Sequence, residues 1–174
     1  MNTLFADKAR RVEMLLMDVD GVLTDGTFER RGEDEVKRFH SRDGLGLVLA
    51  RRAGLRLGLI SGRRSSLVEA RARELEVNFL RLGVSDKLGA LQEALGQENL
   101  AFEQIAFIGD DLTDLPILRR VGLSVAVSDA HPEVRERVDY VTRARGGYGA
   151  VREIVDELLS AKGVMEDLIR EYMR

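Results

Sequence analysis

The sequence predicts a doubly wound, Rossmann-like α/β fold, a parallel sheet with helices on both faces. Short apolar runs alternate along the chain with stretches of helical spacing. Runs that are apolar throughout, rather than alternating, belong to strands buried on both faces. Two of them, Met14–Met17 and Ile105–Ile108, lead directly into acidic clusters, Asp18/Asp20 and Asp110/Asp111/Asp114. Such folds bind ligands at the carboxyl ends of their strands.

The 174 residues suit one domain with a full core. In order, the strands are expected at Met14–Met17, Leu55–Ile60, Asn78–Arg81, Ile105–Ile108, Ser124–Val127 and Tyr140–Thr142. Helices are expected at Leu45–Ala53, Ser65–Leu75, Lys87–Leu95, Leu115–Val121 and Pro132–Arg137. Pro116 and Pro132 then sit in first helical turns, where a missing N–H costs nothing. The segment Gly26–His40 breaks the alternation. Thr27, Phe28, Val36 and Phe39 flank a polar turn around Gly32, which reads as a β-hairpin projecting from the end of the first strand. The last stretch, residues 151–174, is helical and amphipathic, with Val164, Met165, Leu168, Ile169, Tyr172 and Met173 on one face. Gly146-Gly147-Tyr148-Gly149 lacks the spacing of a dinucleotide fingerprint and reads as a flexible loop.

Composition narrows the chemistry. Without Cys there is neither a disulfide framework nor a thiolate metal site, and two His make a His-based zinc site a poor fit. A cation would have to be held by oxygen, which suits Mg²⁺. The net charge of −3 gives no reason to expect a nucleic-acid partner. No apolar stretch approaches the roughly 20 residues of a membrane span, and residues 1–11 lack a signal peptide's apolar segment. A cytoplasmic location is expected.

Four features fall at strand ends on one side of the sheet: Asp18/Asp20, Ser61, Lys87 and the Asp110 cluster. Clustered ionised carboxylates repel, and make sense around a divalent cation. With a hydroxyl and an ammonium they suit a phosphoryl group. Phosphoryl transfer needs an in-line nucleophile and neutralised phosphoryl oxygens. Asp18, nearest the strand end, is the candidate nucleophile, since a carboxylate can form an aspartyl-phosphate. Asp20, two residues on, can protonate the leaving alkoxide and then activate water. Lys87 supplies charge, Ser61 a donor, and Asp110 completes a metal site with Asp18. Singly, each has a plainer reading as a turn, cap or surface residue; jointly, in this order, they do not.

These residues resemble the motifs of the haloacid dehalogenase superfamily: Asp18-Val19-Asp20 through Thr24, Ser61, Lys87, and Gly109-Asp110-Asp111 with Asp114. The resemblance implies Mg²⁺ on the Asp18 carboxylate, the Asp20 backbone carbonyl and the Asp110 carboxylate, with Asp111 and Asp114 as supporting acids. About 40 residues separate Asp18 from Ser61, and about 25 separate Ser61 from Lys87, so neither gap holds a cap domain. With its hairpin, the chain resembles the capless branch acting on sugar-acid phosphates. That implies a homotetramer whose hairpins enter neighbouring sites, and Arg63 and Arg71 as ligands of the sugar acid. The expected substrate is the phosphate of an eight-carbon acid, with a nine-carbon acid as the alternative. Two non-enzymatic readings stay open: a phosphorylated receiver module, against which Asp20 argues, and an accessory subunit that keeps a phosphatase fold.

Overall fold

The computed structural model describes residues 3–31 and 34–174. Six strands form one parallel sheet: β1 (Met14–Met17), β4 (Arg56–Ser61), β5 (Phe79–Leu82), β6 (Ile105–Gly109), β7 (Leu123–Ala126) and β8 (Tyr140–Val141). Between β1 and β4 a separate antiparallel pair, β2 (Glu29–Arg31) and β3 (Asp34–Val36), places Glu29 opposite Val36. This is the expected hairpin; Gly32 of its turn lies outside the described residues.

The sheet order β5-β4-β1-β6-β7-β8 has its switch point at β1, which pairs with β4 on one side and β6 on the other. A crevice therefore opens beyond the carboxyl ends of β1 and β6. All four β1 residues are buried, as are all five of β6. Their continuous apolar runs come from having helices on both faces. On one side α1 (Thr3–Arg11), α2 (Ser41–Arg52) and α7 (Ala150–Ala161) pack together. Helices α4 (Lys87–Glu98) and α5 (Leu115–Leu118) also pack together, and the general right-handedness of such crossovers assigns them to the other side. The remaining helices are α3 (Ser66–Glu74), α6 (Pro132–Arg135) and α8 (Met165–Tyr172).

Three differences from the sequence expectation have local causes. Helix α1 buries only Phe5 and Ala9, so its amphipathic stripe is one pair long and easily overlooked. Helix α2 begins four residues before the expected Leu45, because its first turn is polar and carries the buried Asp43. That carboxylate accepts hydrogen bonds from Gly149 N (3.2 Å) and Arg152 N (2.7 Å), tying the start of α7 to α2. The C-terminal segment is two helices, broken at Gly163, whose φ of 74° no side-chain-bearing residue adopts easily. No helix among the described residues is long and apolar enough to cross a membrane.

Candidate active site

The crevice is built on the loop that leaves β1. Asp18 N donates to Ile108 O at 3.0 Å, continuing the β1–β6 ladder one residue and fixing the Asp18 backbone. Gly21, at φ 92°, then turns the chain so tightly against β6 that a Cβ there would lie 2.1 Å from Asp110 Oδ2. The segment read as a flexible loop is anchored from behind. Gly147 N donates to Val22 O at 2.9 Å, Gly149 is held by Asp43, and Gly146 packs on the Gly21 carbonyl.

Carboxylate oxygens of Asp18, Asp110 and Asp114 come within 4.8 Å of one another. Lys87, in the first turn of α4, enters from the opposite side. Its Nζ lies 3.1 Å from Asp18 Oδ1 and 2.7 Å from Asp114 Oδ1. Asp86 fixes that turn by accepting from Gly89 N at 3.0 Å. Asp114 is fully buried, and its other oxygen accepts from the backbone N–H groups of Asp110 (3.0 Å) and Asp111 (3.3 Å). With both oxygens committed, it organises its neighbours.

Charge in this cluster is unbalanced. Burial, reinforced by Asp114 and only partly offset by Lys87, raises Asp18 to about 6. Burial together with Asp18 and Asp114 raises Asp110 to about 8. For Lys87, burial pulls downward, but Asp18 and Asp114 outweigh it and hold the ammonium charged. Three acids facing one ammonium lack positive charge, and the close carboxylates of Asp18 and Asp110 fit a divalent cation bound by oxygen.

Beside this cluster opens a cavity of about 270 Å³ whose wall includes Asp18, Asp20, Ser61, Arg63, Lys87 and Thr113. Ser61 is buried, and its Oγ accepts from Arg63 N at 3.2 Å. The structure thus brings Asp18, Asp20, Ser61, Arg63 and Lys87 to one cavity, with Asp110 and Asp114 adjoining. Two expected site residues lie elsewhere. The Asp111 carboxylate is exposed and accepts from Leu112 N at 2.7 Å, capping a short helical turn. Arg71 pairs with Glu74 at 2.7 Å and lies against Gly44 and the Phe39 ring, where α3 meets α2.

The hairpin contributes what sequence reasoning missed. Lys37, just past β3, is ion-paired with Asp20, and Glu35 accepts from Ser65 Oγ at 2.6 Å. Phe28 lies beneath the Arg63 guanidinium, 3.6 Å from ring centroid to Cζ. Hairpin residues in this single chain therefore contact Asp20, Arg63 and Ser65 of their own chain rather than lining the cavity themselves. Only the scarcity of Lys, at positions 8, 37, 87 and 162, could have drawn attention to Lys37.

Comparison with known proteins gives consistent matches. The family described as haloacid dehalogenase-like hydrolase matches residues 77–154. The chain is 45% identical over 161 residues to 3-deoxy-D-manno-octulosonate 8-phosphate phosphatase KdsC of Escherichia coli, covering 92% of this chain and 86% of that protein. Against the protein of the same name from Salmonella typhi it is 43% identical over 168 residues, covering 96% and 89%. Among solved structures, the 3-deoxy-D-manno-octulosonate 8-phosphate phosphatase from Moraxella catarrhalis, in complex with a magnesium ion, a phosphate ion and a KDO molecule, is 36% identical. It aligns with a TM-score of 0.95 and covers 99% of each chain.

Proposed function

The chain belongs to the haloacid dehalogenase-like hydrolases, and from that premise we propose that it hydrolyses 3-deoxy-D-manno-octulosonate 8-phosphate to the free sugar acid and phosphate. It is a phosphomonoester hydrolase. The observation that carries the reading is the meeting of Asp18 and Lys87, 3.1 Å apart, on the wall of a cavity that Asp20 and Ser61 also line. The named relatives supply the substrate.

In this reading an Asp18 carboxylate oxygen attacks phosphorus in line with the ester oxygen. As that P–O bond breaks, Asp20 gives its proton to the departing sugar oxygen. Asp20 then takes a proton from the water that attacks the aspartyl-phosphate, which releases phosphate and regenerates Asp18. Lys87 and the Ser61 hydroxyl bind the phosphoryl oxygens. The carboxylates of Asp18 and Asp110, with the Asp20 carbonyl, would hold Mg²⁺, which when bound neutralises charge on the phosphoryl group. Asp114 positions Lys87 and the Asp110 backbone. Arg63, on the wall of this cavity, is assigned to the sugar acid's carboxylate in this reading; Arg71 is not among the residues that line it.

We further propose that the 174 residues form one domain and that the protein works as a homotetramer. The supporting feature is the missing cap: neighbouring subunits would close the open side of the site. Light scattering that gave a monomer under assay conditions would remove the tetramer from the proposal.

The deciding experiment is phosphate release with Mg²⁺ from a panel of sugar phosphates and sugar-acid phosphates, run beside Asp18→Asn. Preference for the eight-carbon acid phosphate, lost in the variant, is expected. Full activity in Asp18→Asn would overturn the mechanism. Preference for a nine-carbon acid phosphate would move the substrate, and no activity at all would favour an accessory role.

A further inference from the structure

We propose that Lys37 is a positioning residue for Asp20, an assignment that rests on the proposed role of Asp20 as proton donor. Asp20 lies on a loop, where the backbone leaves its side-chain torsions free. The proton it delivers must nevertheless reach one particular oxygen, at hydrogen-bond distance. Something has to hold that carboxylate.

The hairpin supplies the hold. Although Lys37 follows a two-stranded ribbon, its side chain is only 1% exposed. A buried ammonium persists only where partners surround it. Its partners are Asp20 Oδ1, Glu35 Oε1 at 3.5 Å, and the Phe28 ring, with its centroid 4.9 Å from Nζ. Glu35 is itself fixed by Ser65 and by Arg63 Nη2 at 3.3 Å. The chain of contacts therefore runs from Asp20 through the hairpin to the loop after Ser61. Lys37 anchors Oδ1, which leaves Oδ2 on the side of Arg63, whose Nε is 3.7 Å away on the cavity wall. One oxygen is tethered by Lys37, and the other faces Arg63 on a residue that lines the cavity.

A misplaced proton donor matters most where the leaving group needs the proton. An alkoxide from a sugar does, whereas the phenolate of p-nitrophenyl phosphate leaves without one. Lys37→Met is therefore expected to lower kcat on the sugar-acid phosphate about 10- to 100-fold, with little change in KM and much less loss on p-nitrophenyl phosphate. Lys37→Arg, which restores a cationic donor, is expected to recover most of the difference. Asp20→Asn provides the reference, with the same split in larger measure. If Lys37→Met unfolds, Lys37→Gln is read by the same ratio of the two substrates. Equal losses on both substrates would make Lys37 merely structural, and a raised KM with unchanged kcat would make it a substrate ligand; either overturns the proposal. An Asp20→Asn variant with no split would overturn the assignment of Asp20 itself, and this inference with it.

Discussion

Replacing Lys87 with Met removes the one ammonium placed among the acids of the cluster and leaves the volume nearly unchanged. Lys87 is 7% exposed, and its Nζ lies 2.7 Å from Asp114 and 3.1 Å from Asp18. At an effective dielectric of about 20, each contact represents roughly 5–6 kcal/mol of Coulomb attraction. Most of that is offset by the cost of burying the charges. The net loss on removing one partner of a buried pair is about 3–5 kcal/mol, or roughly 6–20 °C in Tm for a chain of this length. The loss should depend on pH, and its sign follows from Asp18. That group sits at about 6 with Lys87 present, and losing the ammonium raises it further. At pH 5.5 the variant's folded state is neutral at Asp18, so the damage is smaller there, with Asp114 left as the buried carboxylate that has lost its ammonium. At pH 8 the full cost of uncompensated carboxylate charge is felt. Thermal denaturation at the two pH values, with and without Mg²⁺, reads this directly. Mg²⁺ should restore part of the stability at pH 8, because it supplies charge to the same acids. It should not restore turnover, which falls about 10²- to 10³-fold for want of a phosphoryl-oxygen ligand. An equal Tm loss at both pH values, or activity within a few-fold of the parent, would refute the account.

Two further outcomes follow from the same cluster. Gly21→Ala places a methyl group 2.1 Å from Asp110 Oδ2 at a backbone φ of 92°. It should raise the Mg²⁺ concentration for half-maximal activity and destabilise the fold by about 1–3 kcal/mol, both of which a metal titration and a melting curve measure. In the absence of divalent cations the chain itself should lose stability as pH rises from about 4 towards 8. Asp18 and Asp110 are raised above their ordinary value, so over that window the folded state binds more protons than the unfolded one, and raising pH favours unfolding. Mg²⁺ should flatten this slope and release protons as it binds, which calorimetry in buffers of different ionisation heat detects; a slope unaffected by Mg²⁺ would count against the metal site.

Much of the sheet was legible because its central strands are buried on both faces. Met14–Met17 is observed with the expected bounds, and the Ile105 strand runs one residue further, to Gly109. At the margin the signal weakens. Only Phe79 of β5 is fully buried, and that strand is displaced one residue from the expected Asn78–Arg81. Helix ends were harder to place, because polar first turns carry no apolar period: Asp43 begins α2 for reasons that lie in α7, more than a hundred residues away. A single sequence shows apolar spacing, but it does not show which distant backbone groups a buried carboxylate will cap.

The candidate site divides along the same line. Residues directly attached to strand ends, Asp18, Ser61 and Asp110, were legible because β1, β4 and β6 are neighbours and their ends must meet. Side chains further out were legible unevenly: Asp20, Arg63 and Lys87 reach the cavity as expected, whereas Asp111 and Arg71 do not line it. Asp111 and Asp114 have the same chemistry and lie three residues apart, yet one is exposed and caps its own turn while the other is fully buried against Lys87. Arg63 and Arg71 differ likewise. Arg63 follows Ser61 on the rim of the cavity, while eight residues of chain carry Arg71 onto the α2 side. The hairpin goes furthest beyond sequence reading, because two short strands can fold to either side of the crevice with the same apolar pattern. What selects the observed side is charge. Lys37 and Glu35 find Asp20, Ser65 and Arg63 only when the ribbon lies over its own chain's site. Burying an ammonium costs several kcal/mol, so these partners must be present together for the placement to hold. The hairpin's position and the setting of Asp20 therefore depend on one another, and a substitution that disturbs either should register in both.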